Sequence, residues 1–445
     1  MTQSPLRSLA DIDGVGEAMY AFAEELFPVC RSITGDGVRR TLAAVGRHIP
    51  LDVHEVPTGT PVFDWTIPKE WNIRDAWIKN DAGDRVVDFK NSNLHVLNYS
   101  IPVHKHLSLT ELKKRLISLP EQPDWIPCRA SYYRETWGFC LSHRQLTALP
   151  DGRYEVYIDS TLEAGHLTYG EYVLPGAIED EVLITAHVCH PSLANDNLSG
   201  IAILTFLAAR LSEIDHRYTY RFLLIPATIG SIAWLARNER RVDRIRHGLV
   251  LSCLGDGGGP TYKCSRRGDA QIDRSCKHVL RSRFAAPRIE PFSPYGYDER
   301  QFCSPGFDLP VGLLQRSKYG EFPEYHTSAD NMDFISAGHL QESFGLVVRI
   351  LDVLENDLRY RSLNPKCEPQ LGKRGLYQAI GSDKDVARKQ MAMLWALNLA
   401  DGTHSVLDIA ERAGIPFEIM SDTCETLERS GLLADSGLKC NAPVE

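Results

Sequence analysis

The chain has no CxxC pair, and its 11 cysteines are odd in number and scattered. This excludes a disulfide framework and a zinc cluster built on paired cysteines. It reads as the reduced thiols of a cytoplasmic protein. No apolar run approaches the ~20 residues that a membrane helix needs; even Ile201 to Ala209 falls well short. The opening MTQSPLRSLADIDG has no apolar signal core. Nor is there a long basic run. Acidic residues outnumber basic ones 58 to 49, giving a net charge of -9. Nucleic acid and anionic membranes are therefore poor partners. The composition of a disordered chain is missing too: 43% of residues are hydrophobic and 24% charged, as in ordinary globular proteins. At 445 residues there is length for roughly two to four domains, and for a core that needs no staples.

Helical spacing of Met19, Phe22 and Leu26, then of Val38, Leu42, Val45 and Ile49, predicts two helices between Gly16 and Ile49. Alternation predicts a strand over Leu51 to Val56. From Val62 to Leu149 the texture changes to short β-like runs with many prolines and Trp65, Trp71, Trp77, Trp125 and Trp137. This reads as an inserted β-rich domain, with Asp81 to Asp84 as a turn between two strands and a lid or interface as its plain role. Strands then alternate with helices from Arg153 to Asp357. Glu181–Ala186, Arg221–Ile225 and His247–Cys253 are strands; Leu198–Leu211, Ser231–Asn238 and Ser336–Asn356 are helices. That alternation predicts an α/β fold with a mixed, mostly parallel sheet flanked by helices. Its ligands would sit beyond the carboxyl ends of the strands. Three tail helices, Val386–Leu399, Ser405–Ala413 and Pro416–Ser430, resemble a winged helix–turn–helix. The would-be recognition helix carries Glu418, Asp422, Glu425 and Glu428 against Arg429, so a phosphate backbone would repel it. The expected domains are 1–61 with 156–365, the insert 62–155, and 366–445.

The segment TAHVCHPSLANDNLSG puts His187 at a strand's carboxyl end, with Cys189, His190 and Asp196 in the loop after it. Imidazole nitrogen and carboxylate oxygen are the ligand types of a catalytic zinc that keeps a position open for water. A second segment, PEYHTSADN, holds His326 and Asp330; its Ser-Ala-Asp also suits a helix cap. Asp256 stands in a glycine-rich loop after the third strand, where a plain turn is the alternative.

These motifs carry a resemblance. His187 with NDNLSG, the strand exit ending in Gly230-Ser231, and YHTSADN before the last helix look like the co-catalytic zinc aminopeptidase clan. That clan includes leucine-type aminopeptidases, glutamate carboxypeptidases and glutaminyl cyclases. More closely, CRSITGDGVRRTL, CHPSLANDNLSG, SPYGYDERQFCSPGF and EYHTSADN resemble a bacterial family of aminopeptidase-like proteins. Those carry an inserted β-domain and a C-terminal winged helix, and often lie near polysaccharide or natural-product genes. The resemblance covers nearly the whole chain. It implies a zinc-dependent hydrolase of an amide in a small peptide or amino-acid-like substrate. His187, Asp196 and His326 would be ligands, Asp256 and His190 less firmly so, for one or two zinc ions. It further implies a cis peptide bond at Asp196-Asn197. Asp298 and Glu299 would read a substrate amine and Arg300 a carboxylate, with Tyr297 in the same loop and Arg31 and Ser32 also at the substrate. A surface loop with internal ion pairs is the plainer reading of Ser293 to Phe307. Tyr319 and Tyr325 are expected to pack.

The departures from the clan are specific. Ala227 and Thr228 stand where it has two glutamates, one the general base and one a ligand of the second metal. Cys189 replaces the aspartate of H-x-D. Three explanations stay open: an engineered replacement of the base, a base moved to Asp298, Glu299 or His190, or a non-catalytic relative. The last is a scaffold or binding protein that recruits a protein partner or a second copy through the insert or winged helix. A DNA-binding regulator is the third and weakest reading.

Overall fold

The computed structural model describes residues 4–376 and 384–437. The chain forms two units. The larger comprises residues 12–270 and 288–344; the other comprises residues up to 11, 271–287 and those from 345 onward.

The larger unit is built on an eight-stranded sheet. Its strand order is Asp52–Pro57, His166–Leu174, Tyr218–Ile225, Ile178–His187, Ile245–Leu251, Val311–Gln315, Thr261–Lys263 and Arg288–Glu290. Ile178–His187 runs parallel to both neighbours, and Ile245–Leu251 runs parallel to Val311–Gln315. Strands covered on both faces read as continuous apolar runs, and residues 182–187 are all buried. The strands Asp52–Pro57 and His166–Leu174 at one edge pair antiparallel, as does Thr261–Lys263 with Val311–Gln315, while the far edge strand Arg288–Glu290 runs parallel to Thr261–Lys263. Helix Gly200–Leu211 buries most of its side chains, and Val15–Leu26 buries the stripe Met19, Phe22, Ala23 and Leu26. The expected mixed, mostly parallel sheet is thus present, as are the expected helices to within two residues, except that the second ends at Val45, four residues before Ile49.

The insert has its own antiparallel sheet, ordered Arg85–Asp88, Glu70–Lys79, Arg153–Glu163 and Val103–Ser108. Ile78, Trp137, Phe139, Tyr154 and Val156 fill its separate core. Its long strand runs to Glu163, past residue 155, because Glu70 pairs with Glu163 at the far end of the register. The strand from Arg153 therefore belongs to the insert and not to the α/β alternation.

In the other unit a three-stranded sheet orders Asp401–Ser405, Arg359–Ser362 and Leu433–Asp435, with helices Lys384–Leu399, Val406–Ala413 and Phe417–Arg429. The central strand starts at Arg359, ahead of the expected boundary at 366. Acidic side chains of this unit meet its own arginines: Asp422 meets Arg7 at 2.7 Å, and Asp408 and Glu411 meet Arg274 at 2.8 and 2.6 Å.

Candidate metal centre

Strand Ile178–His187 ends on His187, and the chain then loops through Cys189 and His190 into the turn Ala194–Ser199. That turn brings Asp196 back over the strand end. Gly200 closes the motif for a steric reason: a Cβ there would lie 2.5 Å from the Leu251 carbonyl and from Asn197 Oδ1. The Asp196-Asn197 peptide is cis, as is Ala227-Thr228.

Asp196 is fully buried and is the hub of the site. His187 Nε2 donates to its Oδ1 at 2.8 Å, and His326 Nε2 to its Oδ2 at 3.0 Å. His190 Nε2 stands 4.0 Å from Oδ2. Burial by itself would raise the carboxyl's pKa. The surrounding His190, His187 and His326 outweigh it and hold the group well below the usual range. Burial pushes the His190 imidazole down to about 3, so it is neutral at pH 7. The Tyr297 hydroxyl lies 3.2 Å from Asp196 Oδ1 and 3.1 Å from the Tyr325 hydroxyl. Tyr297 stacks on His187 with ring centroids 4.8 Å apart, and Tyr325 on His326 at 4.0 Å. His326 adopts φ +55°, a backbone region that non-glycine residues take mainly where the surroundings impose it.

The donor set fits one zinc ion. Ligand atoms of His187, His190 and Asp196 lie within 4.8 Å of one another, and His326 approaches the same carboxylate. Imidazole and carboxylate are zinc ligands of open catalytic sites. A second ion has less to hold it. Asp256 turns away: its carboxylate accepts from Asn195 Nδ2 at 2.7 Å, Ser317 Oγ at 2.6 Å and the Gly258 N–H at 2.6 Å. Thr228 stands at the strand exit where the clan has a carboxylate.

The other expected site residues are placed differently from expectation. Arg31 is buried and spends its guanidinium on the carbonyls of Leu26, His190 and Pro191, at 2.7–2.9 Å. It holds the His190 loop and does not face substrate. Ser32 is buried and donates to Asn98. Glu299 is paired with Lys263 Nζ at 2.8 Å, and Asp298 accepts from Ser231 Oγ at 2.8 Å. Both are closed to solvent, and burial pushes the Asp298 carboxyl up to about 6. Cys189 does not orient His187. Its sulfur lies against His190 and the Ala227 carbonyl, and the Asn197 amide nitrogen stands 3.3 Å from His187 Nδ1. Asp330 caps no helix; it accepts the Asn195 and Asp196 N–H groups at 2.6 and 3.0 Å and so fixes the turn.

A cavity of about 400 Å³ opens beside this cluster. His190, His326, Ala227, Thr228, Arg300 and Tyr325 are among its lining. Tyr325, expected only to pack, is therefore at the site. The insert supplies another wall with Cys128, Arg129, Tyr132 and Tyr133. It is pinned there by the Cys128 N–H, which donates to the His326 carbonyl at 2.8 Å. A separate crevice of about 1000 Å³, lined by Arg40, Trp71 and Lys90 among others, holds none of the candidate ligands.

Residues 20–357 match the family described as a domain of unknown function, DUF4910. The chain belongs to that family. Residues 358–435 match a winged helix-turn-helix, which agrees with the strand at Arg359. A Clostridium acetobutylicum protein, whose name joins polysaccharide biosynthesis to an aminopeptidase-like domain, is 50% identical over 418 residues. The match covers 94% of this chain and 96% of the relative. A crystal structure from the same organism, described as a peptidase, has a TM-score of 0.90 at 49% identity, over 94% and 96% of the two chains. BSAP, a zinc aminopeptidase of Bacillus subtilis, has a TM-score of 0.54 at 14% identity, over 76% and 94%. A Shewanella amazonensis M28 peptidase precursor has 0.56 at 14%, over 79% and 95%. At that identity the likeness is one of fold: this DUF4910 chain has the zinc-aminopeptidase fold with a winged helix after it. Among the described residues no helix is long and apolar enough to cross a membrane.

Proposed function

We propose that the protein is a zinc-dependent hydrolase of an amide bond in a small amino-acid-like or peptide substrate, acting in a biosynthetic pathway. The observation that carries this reading is the Asp196 carboxylate, met on both oxygens by imidazoles at 2.8 and 3.0 Å at the carboxyl end of a central strand. The relative named for polysaccharide biosynthesis and an aminopeptidase-like domain supports it.

His187, Asp196 and His326 would hold the zinc, with His190 beside them. When bound, zinc supplies a polarised water and a Lewis acid for the carbonyl oxygen. The chain's own groups do the rest. Tyr297 and Tyr325 keep their phenol protons, since burial raises both pKa values, and they offer O–H donors at the cavity edge. Of the three positions considered for a displaced base, His190 is the one whose side chain lines the cavity.

Elemental analysis tests the reading. Protein offered zinc is expected to hold one ion per chain, and His187→Ala and His326→Ala to lose most of it. Failure to take up zinc rejects the hydrolase. A second reading, a catalytically impaired scaffold, is favoured by one observation: Ala227 faces the cavity where the clan's base would stand.

A further inference from the structure

The cavity beside Asp196 is walled without a carboxylate. Its lining includes the rings of Trp65, Tyr132, Tyr133 and Tyr295 and the two arginines Arg129 and Arg300, and among the described residues it contains no Asp or Glu side chain. An enzyme that reads a free amino terminus needs a negative group for the ammonium, because a cation in a partly dry site is costly unless it is paired. Two carboxylates stand in the right stretches of sequence to do this, each is withdrawn, and a third position carries none. Glu299 is paired with Lys263, Asp298 sits behind the wall on Ser231, and Ala227 has no charge to offer. Arg300 is left. It is half-buried, and its Nε has no hydrogen-bond partner. Arg129 is exposed at the rim, with NH1 donating to its own neighbour's carbonyl, Cys128 O, at 2.9 Å.

We propose that the cavity takes an amide whose amino-acid part carries a free carboxylate, read by Arg300 with Arg129 beside it, and not an amide with a free ammonium. N-acylated amino acids and the C-terminal residue of a peptide share this chemistry. The inference rests on the hydrolase reading above and deepens it by giving the sign of the substrate's charge. A guanidinium fork matches a carboxylate with two parallel N–H donors. The same two cations repel an ammonium. The aromatic walls suit an apolar or aromatic side chain beside the scissile amide. The short Ala227 brings no negative charge of its own to oppose the carboxylate.

Calorimetric titration of the full chain with three probes tests this, with and without zinc. The probes are N-acetyl-L-phenylalanine, its primary amide, and L-phenylalaninamide with a free ammonium. The acid is expected to bind at least tenfold more tightly than either other probe, about 1.4 kcal/mol. The preference should persist in metal-free protein, which separates Arg300 from direct binding of the carboxylate to zinc. Arg300→Gln should bring acid and amide to within about twofold at an unchanged melting temperature, Arg300→Lys should keep part of the preference, and Arg129→Gln should lower it. Tighter binding of L-phenylalaninamide, retention of the preference in Arg300→Gln, or no binding of any probe at about 10 mM overturns the proposal. A protein that prefers the acid without metal, yet never hydrolyses it with zinc, keeps this inference and rejects the hydrolase.

Discussion

Lys263 Nζ lies 2.8 Å from Glu299 Oε1, and both side chains are closed to solvent. This pair takes out of the cavity one of the two carboxylates that the sequence places nearest to it. Lys263 also donates to the Tyr295 carbonyl at 2.7 Å, so the pair fastens the loop that carries Tyr297 and Arg300. Removing one partner leaves an uncompensated buried charge. Lys263→Met is expected to cost roughly 3–5 kcal/mol, and Lys263→Met with Glu299→Met to recover most of it. Urea denaturation of the three proteins reads this. Equal stability of the single and double variants would show that the pair is not coupled.

Ala227 stands on the cavity wall beside His190. Placing a carboxylate there restores a general base within reach of a bound water. Ala227→Glu is expected to raise amide hydrolysis by the zinc-loaded protein by at least about 100-fold. A variant that binds zinc as the wild type does, yet gains no rate, would mean that proton transfer is handled elsewhere, and His190 becomes the group to remove.

Arg31 supports the site from behind through three carbonyls, two of them in the His190 loop. Arg31→Ala leaves those carbonyls buried without donors, at a cost of roughly 3 kcal/mol. Freeing the His190 loop is also expected to weaken zinc binding about tenfold or more, as loss of a supporting shell does. Thermal melting and zinc titration with a competing chelator measure the two effects. If Arg31 instead contacts substrate, neither will move.

Asp357 gives the second unit a pH dependence. It is buried and accepts the Leu407 N–H at 2.7 Å, and burial pushes its carboxyl up to about 6. In the unfolded chain the group titrates near ~3.9. Between these values the folded chain holds the extra proton, so its contribution to stability is full below about pH 4 and is lost as pH rises through about 6. Asp357→Asn removes that loss. The variant is expected to gain on the wild type between pH 4.5 and 7, and a stability difference that stays flat across that window rejects the assignment.

Much of the fold was legible in the residues. The buried strands announced themselves as apolar runs, and the helices as stripes at 3.6-residue spacing, because burial on two faces or one leaves those patterns. That His187, Asp196 and His326 would meet was suggested by the resemblance carried by NDNLSG and YHTSADN and not by local spacing; the fold brings them together. The end of the insert was not. Arg153–Glu163 looks like any strand, and which sheet it joins depends on its antiparallel pairing with Glu70–Lys79, in which Glu70 lies opposite Glu163, 93 residues later.

What the chain by itself determined is therefore local: the periodic elements and the motifs that carry His187, Asp196 and His326. Only the tertiary structure decided which charges are free. Asp298 and Glu299 read on paper as substrate carboxylates, and Arg31 as a substrate cation; folding gives each a buried partner at Ser231, Lys263 or a row of carbonyls. A charged group without such a partner is too costly to bury, so that Arg300 and Arg129 are left at the cavity is visible only once every long-range pair is in place.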